Sequence, residues 1–261
     1  MRENRLRTLW AHDQAAVNGW LALANSFSAE VMSHQGWDTL TIDLQHGVID
    51  YAAMVGMLQA ISTTPTVPIV RVPWLEPGII MKRLDAGAYG VICPMVNTRE
   101  DAQKLVAYTH DAPMGTRSFG PVRAALYGGP DYAQHANTTI VAFAMIETAQ
   151  ALDNLDQILS VEGLDAIYIG PFRPVAGPGL CAELRRRRAQ GGAGHGPHPG
   201  ARASPWRAGR RAQRPHRRGA GAGGQGIPLR DRRLRCRHAG RRLAAGTDRH
   251  ALVHLTRTIK P

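Results

Sequence analysis

The clearest indication of the fold is the stretch Thr41-Ile42-Asp43-Leu44-Gln45-His46-Gly47. An apolar run over residues 39–42 ends abruptly there in Asp, Gln, His and Gly. Buried parallel strands are nearly continuous apolar runs, and in α/β barrels the functional polar groups follow their carboxyl ends. The stretch therefore predicts a parallel strand that delivers Asp43 and His46 to the mouth of an α/β barrel.

Strand and helix patterns alternate six times before residue 172. This alternation predicts βαβ units and a parallel sheet. A doubly wound sheet alternates as well, but no glycine-rich phosphate loop follows the first predicted strand. We therefore predict a TIM (β/α)8 barrel with six recognisable units and the last two strands lost or disordered. The predicted strands are 19–24, 39–43, 67–71, 90–95, 140–146 and 166–169, the predicted helices are 26–35, 50–61, 76–86, 98–110 and 149–159, and residues 111–130 are predicted to be a long irregular loop.

The composition changes sharply after residue 171. Residues 172–242 contain 19 Arg, no Lys and two acidic residues, which gives this segment a net charge of +17. Since the whole chain has a net charge of +12, the remaining residues together carry −5. Only 10 of its 71 residues are large and apolar, too few to bury a core. We expect three parts: a barrel body (1–171), a disordered Arg/Gly/Pro-rich segment (172–242) and a C-terminal helix (243–261).

The cysteines and the hydropathy indicate the environment of the protein. Cys93, Cys181 and Cys236 are far apart and odd in number, which argues against a disulfide framework, and they lack the paired spacing of a zinc site. No apolar stretch reaches the ~20 residues that a membrane span needs. These features predict a cytoplasmic protein without a membrane partner.

Polar residues at the predicted strand ends suggest a reaction type. A His beside a carboxylate is a suitable general base, an Arg can stabilise an enolate oxygen, and a Glu can ligate Mg²⁺ or Mn²⁺. Together they suggest enolate chemistry, in which metal and Arg hold a 2-oxo acid while His moves a proton. Each residue alone could instead cap a helix or form a surface ion pair. The residues placed at or near the mouth are Asp43, His46, Arg71, Asp85 and Glu147.

Several motifs together resemble the HpcH/HpaI family of class II 2-oxo acid aldolases, which includes 4-hydroxy-2-oxoheptanedioate aldolase and 2-dehydro-3-deoxyglucarate aldolase. The resemblance runs in unbroken register over residues 20–171. The matching residues are Trp20, Asp43-Leu44-Gln45-His46-Gly47, Val70-Arg71-Val72-Pro73-Trp74, Pro94-Met95-Val96, Gly115-Thr116-Arg117-Ser118, Ile146-Glu147-Thr148 and Ile167-Tyr168-Ile169-Gly170-Pro171.

The resemblance implies a role for each candidate residue. His46 would be the proton acceptor, Asp85 would raise its basicity, and Arg71 would stabilise the enolate transition state. Glu147 would be one of two carboxylate metal ligands, with Asp43 supporting the catalytic residues from behind. The substrate would contact Met145, Gly170, Pro171 and Phe172.

The resemblance also implies an activity and an assembly. Family members need a divalent metal (Mg²⁺ or Mn²⁺, with Co²⁺ as a further candidate) and cleave 4-hydroxy-2-oxo acids to pyruvate and an aldehyde. We therefore expect a small-molecule 2-oxo acid as the substrate. The family commonly forms hexamers built from dimers, which predicts a homo-oligomer.

The chain departs from the family pattern at three places. The family often has Glu at Gln45, and Gln at Met145, where it contacts the substrate. After Pro171 the family continues with a small residue and then Asp, the second metal ligand, but this chain has Phe172 and Arg173. One carboxylate holds Mg²⁺ poorly, and Arg173 would put a positive charge in the metal's place, so we expect weak or no activity from this chain.

A reading-frame slip in the gene would explain the break. Codons for residues 172–177 can be chosen so that dropping one base encodes Ser-Asp-Leu-Ser-Leu-Ala, which supplies the missing Asp. At the same offset, residues 200–214 and 225–239 can encode the seventh and eighth strands, and the written frame again suits a terminal helix from residue 243. The nucleotide sequence across these codons tests the hypothesis.

Two other functions stay open from the sequence. Residues 172–242 could be a genuine arginine-rich tail that binds nucleic acid by neutralising phosphates. Against this, the segment has no Lys, and Trp206 is its only aromatic residue besides Phe172. A related barrel lyase acting on acyl-CoA esters is the other alternative, but no nucleotide-binding feature supports it.

Overall fold

The computed structural model describes residues 1–169 and 250–251. Strands and helices alternate along most of this part of the chain. The strands are β1 (Val17–Leu21), β2 (Thr39–Asp43), β3 (Val67–Arg71), β4 (Gly90–Cys93), β5 (Val141–Ile146), β6 (Ala166–Ile169) and β7 (His250–Ala251). The helices are α1 (Arg5–Ala11), α2 (Ser26–Ser33), α3 (Tyr51–Ile61), α4 (Pro77–Asp85), α5 (Arg99–Thr109), α6 (Val122–Gly128), α7 (Tyr132–Thr139), α8 (Ala149–Asp153) and α9 (Leu155–Leu159).

One sheet organises the molecule. Strands β1 to β6 are parallel and each pairs with the next along the chain, while β7 pairs antiparallel with β1. The six parallel strands form a half-barrel, which confirms the α/β prediction for this part of the chain. Residues 170–249 and 252–261, and with them the predicted disordered segment and the last two barrel units, lie outside the described residues.

Short polar side chains set the beginnings of several helices. Asn25, Asp50 and Thr148 each accept a hydrogen bond from a backbone N–H in the first turn of α2, α3 and α8. Thr98 and Asp101 exchange such bonds as a capping box at α5. Because these caps hold the helices directly after the strands, the loops at the carboxyl ends of the strands are short and ordered.

Side chains pack on both sides of the sheet. An outer layer fills the space between the strands and helices α2 to α9. The inner side is filled by a second cluster, into which α1 inserts Leu6 and Trp10, and Trp10 lies edge-on to Phe143 with ring centroids 5.9 Å apart. The inner cluster comprises Leu6, Trp10, Ala16, Ile69, Ile92, Val141, Phe143, Met145, Ala166 and Tyr168.

The structure differs from the sequence predictions in its less regular parts. Helix α6 lies inside the predicted irregular loop of residues 111–130; it has no side-chain cap, and Val122 and Leu126 are exposed, so it lacks an amphipathic signal. Helices α1 and α7 were not predicted, and the predicted helix 149–159 breaks at Asn154.

The carboxyl-terminal prediction also differs from the structure where it can be compared. Residues 250–251 form strand β7 rather than part of a helix over 243–261. The short strand pairs with Val17 and Asn18 of β1. An unpaired strand edge favours such pairing, because its backbone N–H and C=O groups otherwise lack partners.

Two further features bear on the environment of the protein. Within residues 1–169 and 250–251, no helix is long and apolar enough to cross a membrane. Cys93 is buried and free, and burial raises the pKa of its thiol well above the usual value. Cys181 and Cys236 lie outside the described residues.

Candidate active site

The carboxyl ends of β1, β2 and β3 bring three side chains together on the inner side of the sheet. Trp20, Asp43 and Arg71 lie near the ends of successive strands, and Asp43 and Arg71 are direct partners in the parallel register. Side chains alternate between the two faces of a strand, so the Cα pairing places the carboxylate and the guanidinium side by side. Of the residues predicted at the mouth, the structure brings Asp43 and Arg71 into direct contact.

Asp43 is the centre of the hydrogen-bond network. Its Oδ1 accepts from Arg71 Nε at 2.9 Å and from the backbone N–H groups of Gln45 at 3.0 Å and His46 at 3.2 Å. Its Oδ2 accepts from Arg71 Nη2 at 2.5 Å and from the indole N–H of Trp20 at 3.2 Å. One carboxylate therefore fixes the backbone of the His46 loop, the guanidinium and the indole relative to one another.

The charge state of Asp43 follows from these partners. The residue is only 3% exposed, and burial by itself would raise the pKa of its carboxyl. The hydrogen bonds and the charge of Arg71, together with the His46 N–H and the Trp20 indole, outweigh burial and lower the pKa below its usual value. Asp43 is thus an ionised partner of Arg71 rather than a proton donor at neutral pH.

Arg71 is held in one orientation by contacts on its edge and on its face. Two of its nitrogens, Nε and Nη2, are bound to Asp43, and its guanidinium lies 4.8 Å from the centroid of the Trp20 ring. Trp20 in turn packs against Tyr168, with ring centroids 5.6 Å apart. In the part of the chain that the structure describes, Arg71 Nη1 has no hydrogen-bond partner, so this donor is available to a ligand.

His46 lies on the loop that follows β2 and is exposed. Its backbone N–H is anchored on Asp43, while its imidazole has no hydrogen-bond partner among residues 1–169 and 250–251. The tight loop needs glycine at the next position, because a Cβ on Gly47 would lie 2.2 Å from the carbonyl oxygen of Asp43. Beside it, the amide oxygen of Gln45 is buried and has no partner within the described residues.

Glu147 directly follows β5 and is positioned by the loop after β4. Its Oε1 accepts the backbone N–H of Met95 at 2.9 Å. Met95 adopts a left-handed conformation with φ of 56°, and its carbonyl accepts from Asn97 Nδ2 at 3.0 Å. Thr148 donates to Asn97, which ties this loop to β5. One oxygen of Glu147 is therefore fixed, and the other has no hydrogen-bond partner within the described residues.

The prediction that Asp85 lies at the mouth is wrong within a single copy of the chain. Asp85 ends α4, and the helix runs back from the carboxyl end of β3 to the amino end, where Tyr89 N–H bonds the carbonyl of Pro68. A helix that follows a parallel strand runs antiparallel to it, so its last residue returns to the opposite end of the barrel. No contact with His46 is present in the described part of the chain.

Asp85 instead pairs with Arg117, whose Nη2 donates to its Oδ1 at 2.7 Å. Arg117 Nη1 also bonds the Tyr132 hydroxyl at 3.2 Å, and Asp111 lies 3.8 Å from its Nε. Burial raises the pKa of Asp85, the Arg117 charge and hydrogen bond oppose this, and Asp111 adds to the rise. The Gly115–Ser118 motif thus belongs to an ionic cluster at the amino end of the sheet.

The predicted substrate and metal residues fall partly outside the described chain. Met145 is 1% exposed and packs in the inner cluster, with Tyr168 as its partner across the strands. Gly170, Pro171, Phe172 and Arg173 lie outside the described residues. Within the described ranges, no three His, Cys, Asp or Glu side chains form a metal-binding group.

Sequence reasoning gave Trp20 no task, although its motif matched the family. The structure shows it bonded to Asp43 and stacked on Arg71. The signal was present in the strand alternation, because Trp20, one residue before the end of β1, lies on the same face as Asp43 and Arg71, which end β2 and β3. Tyr168 extends this stack and was likewise quoted without a role.

Comparison with known proteins gives a consistent relationship. Residues 17–209 match the family model described as HpcH/HpaI aldolase/citrate lyase. The chain is 47% identical over 168 residues to a hydroxypyruvate/pyruvate aldolase of Rhizorhabdus wittichii, covering 64% of this chain and 67% of the relative. It is 37% identical over 174 residues to a 4-hydroxy-2-oxo-heptane-1,7-dioate aldolase of Salmonella dublin, covering 66% of each chain.

A solved structure supports the same relationship. The HpcH/HpaI aldolase/citrate lyase family protein of Burkholderia cenocepacia J2315 matches with a TM-score of 0.65 and 30% identity, over 72% of this chain and 80% of that chain. The chain spans about two thirds of the length of the curated relatives it matches. These relatives support an enzyme of the aldolase class, and the chain belongs to the HpcH/HpaI aldolase/citrate lyase family.

Proposed function

We propose that this protein is a divalent-metal-dependent aldolase that cleaves 4-hydroxy-2-oxo acids to pyruvate and an aldehyde. One observation carries the proposal: Asp43 binds Arg71 through Nε and Nη2 and also anchors the backbone of the His46 loop. Among the described residues Arg71 Nη1 and the His46 imidazole have no hydrogen-bond partner, so a fixed positive donor for an enolate oxygen and a candidate base share one network.

Arg71 stabilises the negative charge that develops during cleavage. Its bidentate bond to Asp43 and its stacking on Trp20 leave Nη1 as the donor that meets the 2-oxo acid. A preorganised donor in a water-poor site stabilises an enolate more than water does, because it need not reorient as the charge forms.

His46 moves the proton. In the cleavage direction its neutral imidazole accepts the proton of the 4-hydroxyl group as the bond between C3 and C4 breaks, and the electron pair of that bond goes to the enolate of pyruvate. Proton return to C3 then completes pyruvate. A histidine suits this role because its ordinary pKa lies near neutral pH.

Glu147 fits one position of a magnesium or manganese site. It is a carboxylate at a strand end, with one oxygen fixed by Met95 N–H and the other open. A bound cation would polarise the 2-oxo group and neutralise the developing enolate charge. Because Arg173 stands where the resemblance places the second carboxylate, we expect weak metal binding and weak turnover from this chain.

Assembly is a further part of the proposal. Asp85 cannot reach His46 in the same copy, so any action on His46 would come from a second copy in a homo-oligomer. Exposed apolar side chains are present at both ends of the sheet, with Leu23, Val48 and Trp74 beyond the carboxyl ends and Phe119 near Asp85. Size-exclusion chromatography with light scattering tests the assembly, and a monomer at assay concentration would exclude this role for Asp85.

A partial reaction tests the function without knowledge of the aldehyde. An enzyme that forms the enolate of pyruvate exchanges the methyl protons of pyruvate with solvent, and proton NMR in deuterium oxide follows the loss of the methyl signal. We expect Mn²⁺-dependent exchange, weak in this chain and stronger in Arg173→Asp. His46→Asn and Arg71→Met should abolish the exchange. The matched control is Arg5→Met, because Arg5 is half-exposed and forms only a surface ion pair with Asp38. Absence of exchange in both the original chain and Arg173→Asp would refute the proposal.

A further inference from the structure

Trp20 contacts the candidate site, but the roles proposed for His46, Arg71 and Glu147 give it no function. Its indole contacts the guanidinium of Arg71, at 4.8 Å from the ring centroid, and the ring of Tyr168, at 5.6 Å between centroids. Its Nε1–H points to Asp43 Oδ2 at 3.2 Å. The side chain is partly buried, and its ring contacts both Arg71 and Tyr168.

The two contacts of Trp20 restrict different motions. The indole N–H and Arg71 Nη2 share the same oxygen of Asp43, so together they fix the rotation of the carboxylate about its own axis. The ring face supports the plane of the guanidinium, which Asp43 alone would hold only along one edge. A cation over an indole is the strongest of the cation–aromatic pairs, and desolvation increases it.

The geometry points to Trp20 as a positioning residue that fixes the direction of Arg71 Nη1 and thereby the binding of the planar 2-oxo acid or its enolate. This inference rests on the proposed aldolase function for its substrate class. Without the Trp20 ring, Arg71 keeps its hydrogen bonds to Asp43, but its guanidinium can tilt out of the plane of the Asp43 carboxylate. Without the N–H, the carboxylate loses one of five hydrogen bonds and keeps the stacking platform.

Two substitutions separate these contributions, and the chain offers a matched control. Trp20→Phe removes the N–H and keeps an aromatic face, whereas Trp20→Leu removes both. Trp10→Phe deletes the same indole from the same inner cluster at the opposite end, where Trp10 packs against Phe143 and not against Arg71. Thermal melts of the three variants establish that each is folded.

The probe is oxalate, a planar dianion with the shape of the pyruvate enolate, titrated calorimetrically in buffer with Mg²⁺. We expect Trp20→Phe to weaken oxalate binding by about 3-fold, as for one lost hydrogen bond. We expect Trp20→Leu to weaken it by about 10-fold or more, as for a desolvated cation–aromatic contact. Trp10→Phe should bind oxalate as the original protein does.

A second measurement does not depend on the proposed reaction. Carbon NMR of the Asp43 carboxyl should show a higher pKa in both Trp20 variants, because a donor to the ionised form is lost, and no change in Trp10→Phe. Unchanged oxalate affinity and unchanged Asp43 pKa in Trp20→Leu would overturn the inference, as would an equal loss of affinity in Trp10→Phe. If neither the original protein nor Arg173→Asp binds oxalate, the proposed function fails, while the Asp43 pKa still decides the role of Trp20.

Discussion

Replacing Asp43 with Asn should be among the most damaging single changes in the described chain. The Asp43 and Arg71 side chains are 4% and 9% exposed and 2.5 Å apart, so the pair is desolvated. An asparagine is uncharged and presents one acceptor oxygen, whereas the carboxylate accepts five hydrogen bonds through two oxygens. Removing one partner of a buried ion pair leaves an uncompensated charge, and we expect the free energy of unfolding to fall by about 3–5 kcal/mol.

Urea denaturation followed by circular dichroism measures this loss. The control is Arg5→Met, which breaks the ion pair with Asp38 at 3.4 Å where Arg5 is 50% exposed, and it should cost about 0–1 kcal/mol. The double variant Asp43→Asn/Arg71→Met should lose less than the sum of its single variants, because it contains no unpaired buried cation. If Asp43→Asn costs no more than Arg5→Met, the idea that Asp43 holds the site together is wrong.

Three further predictions concern other parts of the chain. Gly47→Ala should disorder the His46 loop and abolish pyruvate exchange, because its Cβ would lie 2.2 Å from the carbonyl oxygen of Asp43. In the control Gly56→Ala, the nearest atom to the new Cβ is 3.9 Å away, and the change should stabilise α3 by about 0.5–1 kcal/mol in the same urea assay. The lowered pKa of Asp43 contributes stability above the unfolded-state pKa of about 4, and this stability is lost as the pH falls, so the melting temperature of Asp43→Asn should depend less on pH in the acid range. The raised pKa of Asp85 has the opposite sign, and its contribution to stability should be lost as the pH rises. Arg173→Asp should increase Mn²⁺ affinity in calorimetry, and unchanged affinity would exclude that position from the metal site.

The sequence predicts the strands of the half-barrel because each is an apolar run with a polar end. Their order follows from the alternation with helices, and the meeting of Asp43 and Arg71 follows from parallel register between adjacent strands. Helices α1 and α6 could not be predicted in the same way. Helix α1 has only seven residues, of which Leu6 and Trp10 are buried. Helix α6 exposes Val122 and Leu126, apolar residues that would normally mark a buried face.

The site prediction was wrong for Asp85, because it did not take into account that a helix runs antiparallel to the strand before it. Asp85 was placed among the polar residues near the mouth, but it ends a helix, and a helix that follows a strand carries its last residue to the opposite end. Trp20 had the converse problem, because its position at the end of β1 was visible while its contacts with Asp43 and Arg71 were not. Strand-end residues could therefore be placed from the sequence, whereas helix-end residues and side-chain stacking required the structure.

The two halves of the proposed site come from different parts of the chain, and the residues after 171 bear on only one of them. The network that holds Arg71 and the His46 loop lies at the carboxyl ends of β1, β2 and β3. The metal half needs Glu147 after β5 and a carboxylate at position 173, where the chain has Arg. Among residues 1–169 and 250–251, every hydrogen-bond donor to Asp43 precedes residue 72, so the Arg at position 173 replaces none of them. We therefore expect loss of metal-dependent turnover to precede loss of 2-oxo acid binding in this chain, and the two properties to be separable by experiment.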